Sequence, residues 1–175
     1  MRFSTILLPL AALSTSVLAD GASILNALST ISNATAALNS SITSFRADGD
    51  PLKLIPILIQ STTLLSDIND GTKTASSSAN LTVDETLTVA SATLNLVSSV
   101  ETTLNNIVGG EKLFSSELVS PVIYLNLVQE KSATDKFSAA VISKVPESLQ
   151  STAETIVAPI DTAFTAAIAA FKGQL

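Results

Sequence analysis

The side chains that most often carry out catalysis are missing from this sequence of 175 residues, which contains no histidine and no cysteine. Without them it has no histidine-assisted serine nucleophile, no cysteine nucleophile, no imidazole or thiolate zinc site and no disulfide. Carboxylates remain, and Asp84 and Glu101 could in principle act as paired acids. In a chain with 15 acidic and 9 basic residues, however, such side chains are typical of a solvated surface.

Other patterns lack the residues that their chemistry needs. No glycines flank a serine as in a nucleophile elbow, and no glycine-rich loop could hold a phosphate. Asp48-Gly49-Asp50 is similar to the start of a calcium loop, but Pro51 and Leu52 follow where further oxygen ligands belong. We therefore predict a protein that is not an enzyme, with no catalytic residue, no metal site and no cofactor.

The first residues have the pattern of a secretory signal peptide. Arg2 supplies the positive charge, a short apolar run follows, and Val17-Leu18-Ala19 places small or modest residues before Asp20. The apolar run is too short to span a bilayer, which needs about 20 residues. We predict a leader at 1–19, a single domain at 20–175, and a secreted, extracellular protein. Sequons at Asn33, Asn39 and Asn80 predict glycosylation.

The charge of the mature chain excludes several partners. Removal of Arg2 leaves 8 basic and 15 acidic residues, a net charge of about −7. The basic residues are scattered and few aromatic residues are present, so we predict no nucleic-acid partner. An acidic protein is also not attracted electrostatically to anionic lipid. Beyond the leader we predict no transmembrane segment.

The apolar residues of 20–175 recur at the three- and four-residue spacing of helices. The first predicted stripe includes Ile24, Leu28, Ile31, Leu38, Ile42 and Phe45, with Thr35 on the same seam. A third helix is predicted to begin at the capping box Thr82–Glu85 and to end at Gly109-Gly110. The last begins after Pro146. The fold class is all-α, an antiparallel bundle of about five helices.

Two segments leave alternatives open. Pro56 either stands at the first position of the second helix or kinks it, and an alternative interpretation makes residues 52–60 a strand. In the fourth segment the apolar stripe loses phase around 131–135. That segment is therefore either one bent helix or two helices.

The seams consist of leucine, isoleucine, valine and alanine, with hydroxyl residues such as Thr35, Ser61 and Thr72 among them. Such a bundle either packs dry or encloses an elongated apolar cavity for an acyl chain. In a cavity the hydroxyl groups are candidates for binding a lipid headgroup; otherwise they bond back to helix carbonyls. Seam position alone selects the candidate lipid-binding residues Leu58, Leu65, Leu94, Val97, Leu118, Leu125, Ile156 and Phe164.

The layout resembles the fungal hydrophobic surface-binding protein family, which includes the lipid-binding repeats of antigenic cell-wall galactomannoproteins. The resemblance rests on ILNALSTISNATAALNSSITSF with the turn RADGDP, on LIQSTTLLSDINDGTKTA, and on the capped LTVDETLTVASATLNLVSSVETTLNNI. It extends over essentially the whole mature chain, as a pattern of helices and apolar spacing.

The resemblance implies a secreted or wall-associated, glycosylated helical bundle without enzymatic activity. Its partner would be a fatty acid or another apolar ligand. An alternative role is that of an interfacial adhesin, which coats hydrophobic surfaces and recruits a secreted esterase. A structural cell-wall mannoprotein is a further alternative.

Overall fold

A computed structural model describes residues 19–173, with side chains from residue 21 onward. Its helices are α1 (Ala19–Asp48), α2 (Leu54–Ser77), α3 (Val83–Gly109), α4 (Glu111–Ser116), α5 (Ser120–Ile142) and α6 (Glu147–Lys172), with a 3₁₀ turn at Pro51–Lys53. No strand occurs within 19–173, and the all-α prediction is confirmed. The predicted leader 1–19 lies outside the described residues, apart from Ala19.

Local chemistry explains where the helices begin. At the start of α3, the Thr82 backbone N–H donates to a Glu85 carboxylate oxygen at 2.8 Å, and the Glu85 N–H donates back to the Thr82 hydroxyl at 3.3 Å. The predicted capping box is therefore present. Pro56 is the third residue of α2, within the first turn, where a helix needs no backbone donor. The strand interpretation of residues 52–60 is wrong for this reason.

The five long helices form a closed ring. Helix α1 contacts α2 and α3, α3 also contacts α6, α6 contacts α5, and α5 contacts α2. The pairs α1–α2 and α5–α6 are antiparallel, because short connections join them. Contacts between helices that are not consecutive join parallel neighbours: Arg46, near the end of α1, donates to Asn106, near the end of α3, at 2.7 Å. A ring of this kind leaves space along its axis.

The buried face of α1 is the predicted one. Every member of the predicted stripe, from Ile24 to Phe45 and including Thr35, is at most 3% exposed. On α2 and α3 the structure buries only some of the residues that seam position selected: Val97 is buried, whereas Leu58, Leu65 and Leu94 are not. Helix α2 buries Ile57, Ser61, Leu64, Ile68, Gly71 and Ala75, so Leu58 and Leu65 are only half-buried. Helix α3 buries Thr86 and Thr103 and leaves Val83, Leu87 and Leu94 exposed.

The fourth segment is two helices, but the break lies earlier than the apolar stripe indicated. The short α4 ends before Leu118, whose backbone has a left-handed φ of 58°. Helix α5 then continues through 131–135 without interruption, and Pro121 stands in its first turn. Its buried residues keep helical spacing: Ile123, Leu127, Glu130, Ala133, Phe137 and Val141. The apparent loss of phase arose because Glu130 occupies a seam position.

Helix α6 begins after Pro146 as predicted and continues through Pro159. Its buried side chains Ile160, Phe164, Ala167 and Phe171 follow helical spacing, and they include the predicted Phe164. Among the described residues, α6 is the one helix that is long and apolar enough to cross a membrane by length and composition. A helix that packs in the core of a bundle satisfies the same criterion, so this finding alone carries little weight.

Candidate functional site

An elongated cavity lies inside the ring, and all five long helices contribute to its wall. The volume open to the centres of water-sized spheres is about 80 Å³, within about 960 Å³ of space between atoms that includes open solvent. On α3 the lining extends from Thr86 to Ile107, which is roughly 30 Å at 1.5 Å per residue. The cavity is therefore long in one direction and bounded by helices on every side.

The wall is almost entirely apolar. Leucine, isoleucine, valine and phenylalanine side chains supply most of it, and four of its threonines use their hydroxyl protons within their own helices. Thr35, Thr86, Thr93 and Thr103 each donate to the carbonyl four residues earlier at 2.8 Å. Thr72 does the same at 2.9 Å. The back-bonded alternative for Thr35 and Thr72 is thus what the structure shows.

Ser61 of α2 behaves differently, because it donates to a carboxyl group on the neighbouring helix α5. Its hydroxyl oxygen lies 2.6 Å from Oε1 of Glu130, which is 3% exposed. Burial raises the pKa of Glu130 to about 7, and the hydrogen bond from Ser61 opposes this shift only in part. Among the residues that line the cavity, Glu130 is the one with a charged side chain. It is a functional candidate that the sequence-based reasoning missed.

Glu130 stands where two cavities meet. A smaller cavity lies toward the start of α5, and it shares Leu38, Ile107 and Glu130 with the larger one. Phe114 lines the smaller cavity and stacks on Phe45, with ring centroids 5.0 Å apart. Phe171 packs on the other side of Phe114 at 5.9 Å. These three rings fill the space between α1, α4 and α6 at this end of the bundle.

A groove between α5 and α6 borders the large cavity from outside. The two share Thr134, Ser138, Ile142, Val157 and Ile160. Beside this groove Lys131 of α5 forms ion pairs with Asp135 of the same helix, at 3.0 Å, and with Asp161 of α6. The hydrogen bonds that Lys131 donates to Asp161 and Asp135 raise the pKa of Lys131. This groove is the candidate entrance to the large cavity, and the Lys131–Asp161 pair joins its two sides.

The residues selected from seam position are not brought together. Ile156 and Phe164 line the large cavity. Leu94 and Val97 line a shallow groove between α3 and α6 with Ile156. The remaining four lie outside the cavity wall: Leu58 and Leu65 are half-buried on α2, Leu125 is 55% exposed and Leu118 is 87% exposed.

The predicted glycosylation sites also differ in their surroundings. Asn33 and Asn80 are exposed, whereas Asn39 is half-buried and its side-chain oxygen accepts a hydrogen bond from Asn106 at 2.8 Å. Among the described residues, no group of three or more acidic side chains is arranged to hold a metal ion.

The fold and the cavity define a class: helical bundles that close a ring of long helices around an elongated apolar space. Within that class, the chain belongs to the hydrophobic surface binding protein A family, whose pattern its residues 21–143 match. The family resemblance noted from the sequence is thereby confirmed.

Two related sequences are both described as cell wall mannoprotein 1. The protein from Aspergillus flavus is 34% identical over 152 residues, which are 87% of this chain and 54% of the relative. The protein from Aspergillus fumigatus is 31% identical over 176 residues, covering 98% of this chain and 61% of the relative. The chain thus spans between half and two thirds of the length of these relatives.

Solved structures share the fold. AFMP4P, described as a complex with palmitic acid, has a TM-score of 0.82 and 29% identity and covers 86% of this chain and 99% of its own. Ligand binding domain 1 of Penicillium marneffei MP1 protein, described as complexed with arachidonic acids, has a TM-score of 0.81 at 18% identity, covering 87% and 98%. The second of these likenesses shows the fold alone.

Proposed function

We propose that this chain is a secreted, non-enzymatic protein that binds a fatty acid, or a lipid of similar shape, inside the helical ring. The observation that carries this proposal is the apolar cavity lined by all five long helices, with Glu130 as its one ionisable group. The palmitic acid in the related AFMP4P structure supports the same ligand class.

Burial of an acyl chain is energetically sufficient for binding. Each methylene transferred from water contributes about 0.8 kcal/mol, and ordering of the ligand and loss of its free motion offset part of that gain. Binding would therefore strengthen with chain length until the cavity is full. Four of the threonine hydroxyls in the wall, those of Thr35, Thr86, Thr93 and Thr103, are used within their own helices and offer no proton to the chain.

The ligand proposal is tested by native mass spectrometry of the secreted protein, followed by extraction and identification of any bound lipid. Ala153 lines the cavity on α6, and the variant Ala153→Phe fills it. Ala169→Phe is the matched control, because Ala169 is exposed on the same helix. We expect Ala153→Phe to lose bound palmitic acid and Ala169→Phe to retain it. A wild-type protein that takes up no fatty acid contradicts the proposal.

Adsorption to hydrophobic surfaces is a second candidate function, and exposed apolar side chains favour it. Ten large ones are exposed on the described part of the chain: Leu52, Ile55, Ile59, Val83, Leu87, Leu94, Leu118, Val122, Leu125 and Val128. Depletion from solution by hydrophobic beads, unchanged by salt, is the expected behaviour. Ala153→Phe should adsorb as the wild type does, which separates this function from lipid binding. Recruitment of a secreted esterase would be tested by adding the enzyme to the coated beads.

The location follows from the leader and the relatives. We propose that residues 1–19 are removed on secretion and that residues 20–175 form the mature domain. Wall association is supported by the mannoprotein relatives. Mass spectrometry of the N-terminus of the secreted protein, and fractionation of medium against cell wall, would test these two statements.

A further inference from the structure

Glu130 is unusual because bundle packing does not require it. It lies on the buried face of α5, between Leu127 and Ala133. The spacing of buried residues on this helix predicts an apolar residue at that position. Burying a carboxyl group costs free energy, and a hydrophobic side chain of similar volume is often neutral or stabilising at such a position. Glu130 therefore stands where an apolar residue would serve the bundle better.

The carboxyl group has unused hydrogen-bonding capacity. Ser61 donates to Oε1, whereas Oε2 makes no hydrogen bond or ion pair within the part of the chain that the structure describes. Glu130 lines both cavities. From Glu130 the lining of the larger one continues along α5 to Ile142, a distance of roughly 18 Å at 1.5 Å per residue. A lipid whose polar end reaches Glu130 would have its acyl chain along this wall.

The surroundings hold no positive charge. The other polar side chains that line the two cavities are Ser61 from α2, Thr35 from α1, Thr86, Thr93 and Thr103 from α3, and Asn126, Thr134 and Ser138 from α5 itself. Every lining residue from α6 is apolar. The adjacent Lys131 is engaged with Asp135 and Asp161 beside the outer groove. Two negative charges side by side here would repel each other with nothing to neutralise them.

We propose that Glu130 and Ser61 form the headgroup site of the cavity, and that this site takes an uncharged, hydroxyl-bearing polar end. Long-chain fatty alcohols and fatty acids that hold a proton satisfy this chemistry. The proposal rests on the proposed function, because a headgroup site needs an acyl chain in the cavity. Its specific content is that the site rejects a second negative charge.

The protonation of Glu130 determines how the affinity for a fatty acid should depend on pH. Below pH 7 Glu130 is protonated, so an ionised fatty acid can share that proton in the complex and no net proton is taken up. Above pH 7 Glu130 is ionised, and the complex with a fatty acid must take one proton from solution. Its affinity then falls by about tenfold per pH unit. A fatty alcohol donates its own hydroxyl to the ionised carboxylate and needs no such proton.

The test compares dodecanoic acid with 1-dodecanol, which have the same chain length. Each displaces Nile red, an uncharged dye, from the wild type between pH 6 and pH 9. We expect the affinity for the acid to fall by about 50-fold from pH 7 to pH 9, because half of Glu130 is already ionised at pH 7. The affinity for the alcohol should change by less than about threefold. In Glu130→Gln the fall for the acid should disappear. Glu101→Gln, at an acid that lines neither cavity, should behave as the wild type.

A second variant keeps the test independent of Glu130→Gln. In Ser61→Ala the carboxylate loses its hydrogen-bond donor, so the fall in acid affinity should begin at a higher pH. The headgroup proposal alone is overturned if both ligands bind and Glu130→Gln retains the fall, or if acid and alcohol weaken equally. If neither ligand displaces the dye from the wild type at any pH, the proposed function fails as well.

Discussion

The substitution Glu130→Gln should change how the stability of the protein depends on pH, even without a ligand. The pKa of Glu130 is raised from 4.5 to about 7 by burial. Between these two values the folded state holds a proton that the unfolded state has released. Folded protein is therefore favoured at low pH, and this contribution is lost as the pH rises toward and through 7.

The size of the effect follows from the two pKa values. A shift of one pKa unit corresponds to about 1.36 kcal/mol. Over the window from pH 5 to pH 8, the wild type should lose about 2–3 kcal/mol of unfolding free energy relative to Glu130→Gln. Glutamine has almost the same shape and retains an oxygen that can accept the Ser61 hydrogen bond, so the comparison isolates the ionisation.

The assay is equilibrium unfolding in urea at several pH values for the wild type, Glu130→Gln and the surface control Glu101→Gln. Other carboxylates act in the opposite direction: the pKa of Asp48 is lowered by Lys53, and that of Glu85 by the hydrogen bonds of Thr82. Their contributions are common to all three proteins and cancel in the differences. Parallel curves for the wild type and Glu130→Gln would refute the reasoning, because they would mean that Glu130 ionises alike in both states.

Three further predictions concern the core, the entrance and the glycans. Phe114→Ala removes the central ring of the aromatic cluster and should cost about 3–5 kcal/mol in unfolding free energy, measured in urea; Leu118→Ala, at an 87% exposed position, should cost less than about 0.5 kcal/mol. Asp161→Asn removes the ion pair between α5 and α6, and we expect release of a bound fluorescent fatty acid to quicken by a few fold, since partly exposed pairs contribute about 0–1 kcal/mol. Release that is equally fast in the wild type would argue against this entrance. Site-resolved glycopeptide analysis should find higher occupancy at the exposed Asn33 and Asn80 than at Asn39, whose side chain is bonded to Asn106; full occupancy at Asn39 would contradict this.

The residues of the cavity wall show why apolar spacing alone did not predict the site. The sequence predicted helices and their ends well, because capping residues, turns and proline act locally. It chose Leu58 and Leu94 for the seams because they are large and apolar. Both are poorly placed, since the interior face of α2 includes Ser61, which the sequence had placed on the seam, and that of α3 includes Thr86 and Thr103, which it had not. A threonine that bonds back to its own helix presents little polarity, so its burial is invisible to a hydropathy pattern.

Glu130 is the clearest example of the same limit. Treated as a surface residue, it made the stripe of α5 lose phase; treated as a seam residue, it leaves the spacing from Ile123 to Val141 regular. A search for the phase that allows one polar residue on an otherwise continuous stripe would have singled it out. The burial of Glu130 and its hydrogen bond to Ser61 nevertheless depend on tertiary structure. The two residues lie on different helices and are 69 positions apart in the chain.

The sequence alone determined the all-helical class, the family and the absence of histidine and cysteine chemistry, because each of these depends on residue types and short-range periodicity. Only the tertiary structure decided that the helices close into a ring with space along its axis. Apolar periodicity indicates that a helix face is buried. It does not indicate whether other side chains or an open cavity lie against that face. That choice depends on how five helices pack together, as does the placement of one carboxyl group inside the wall.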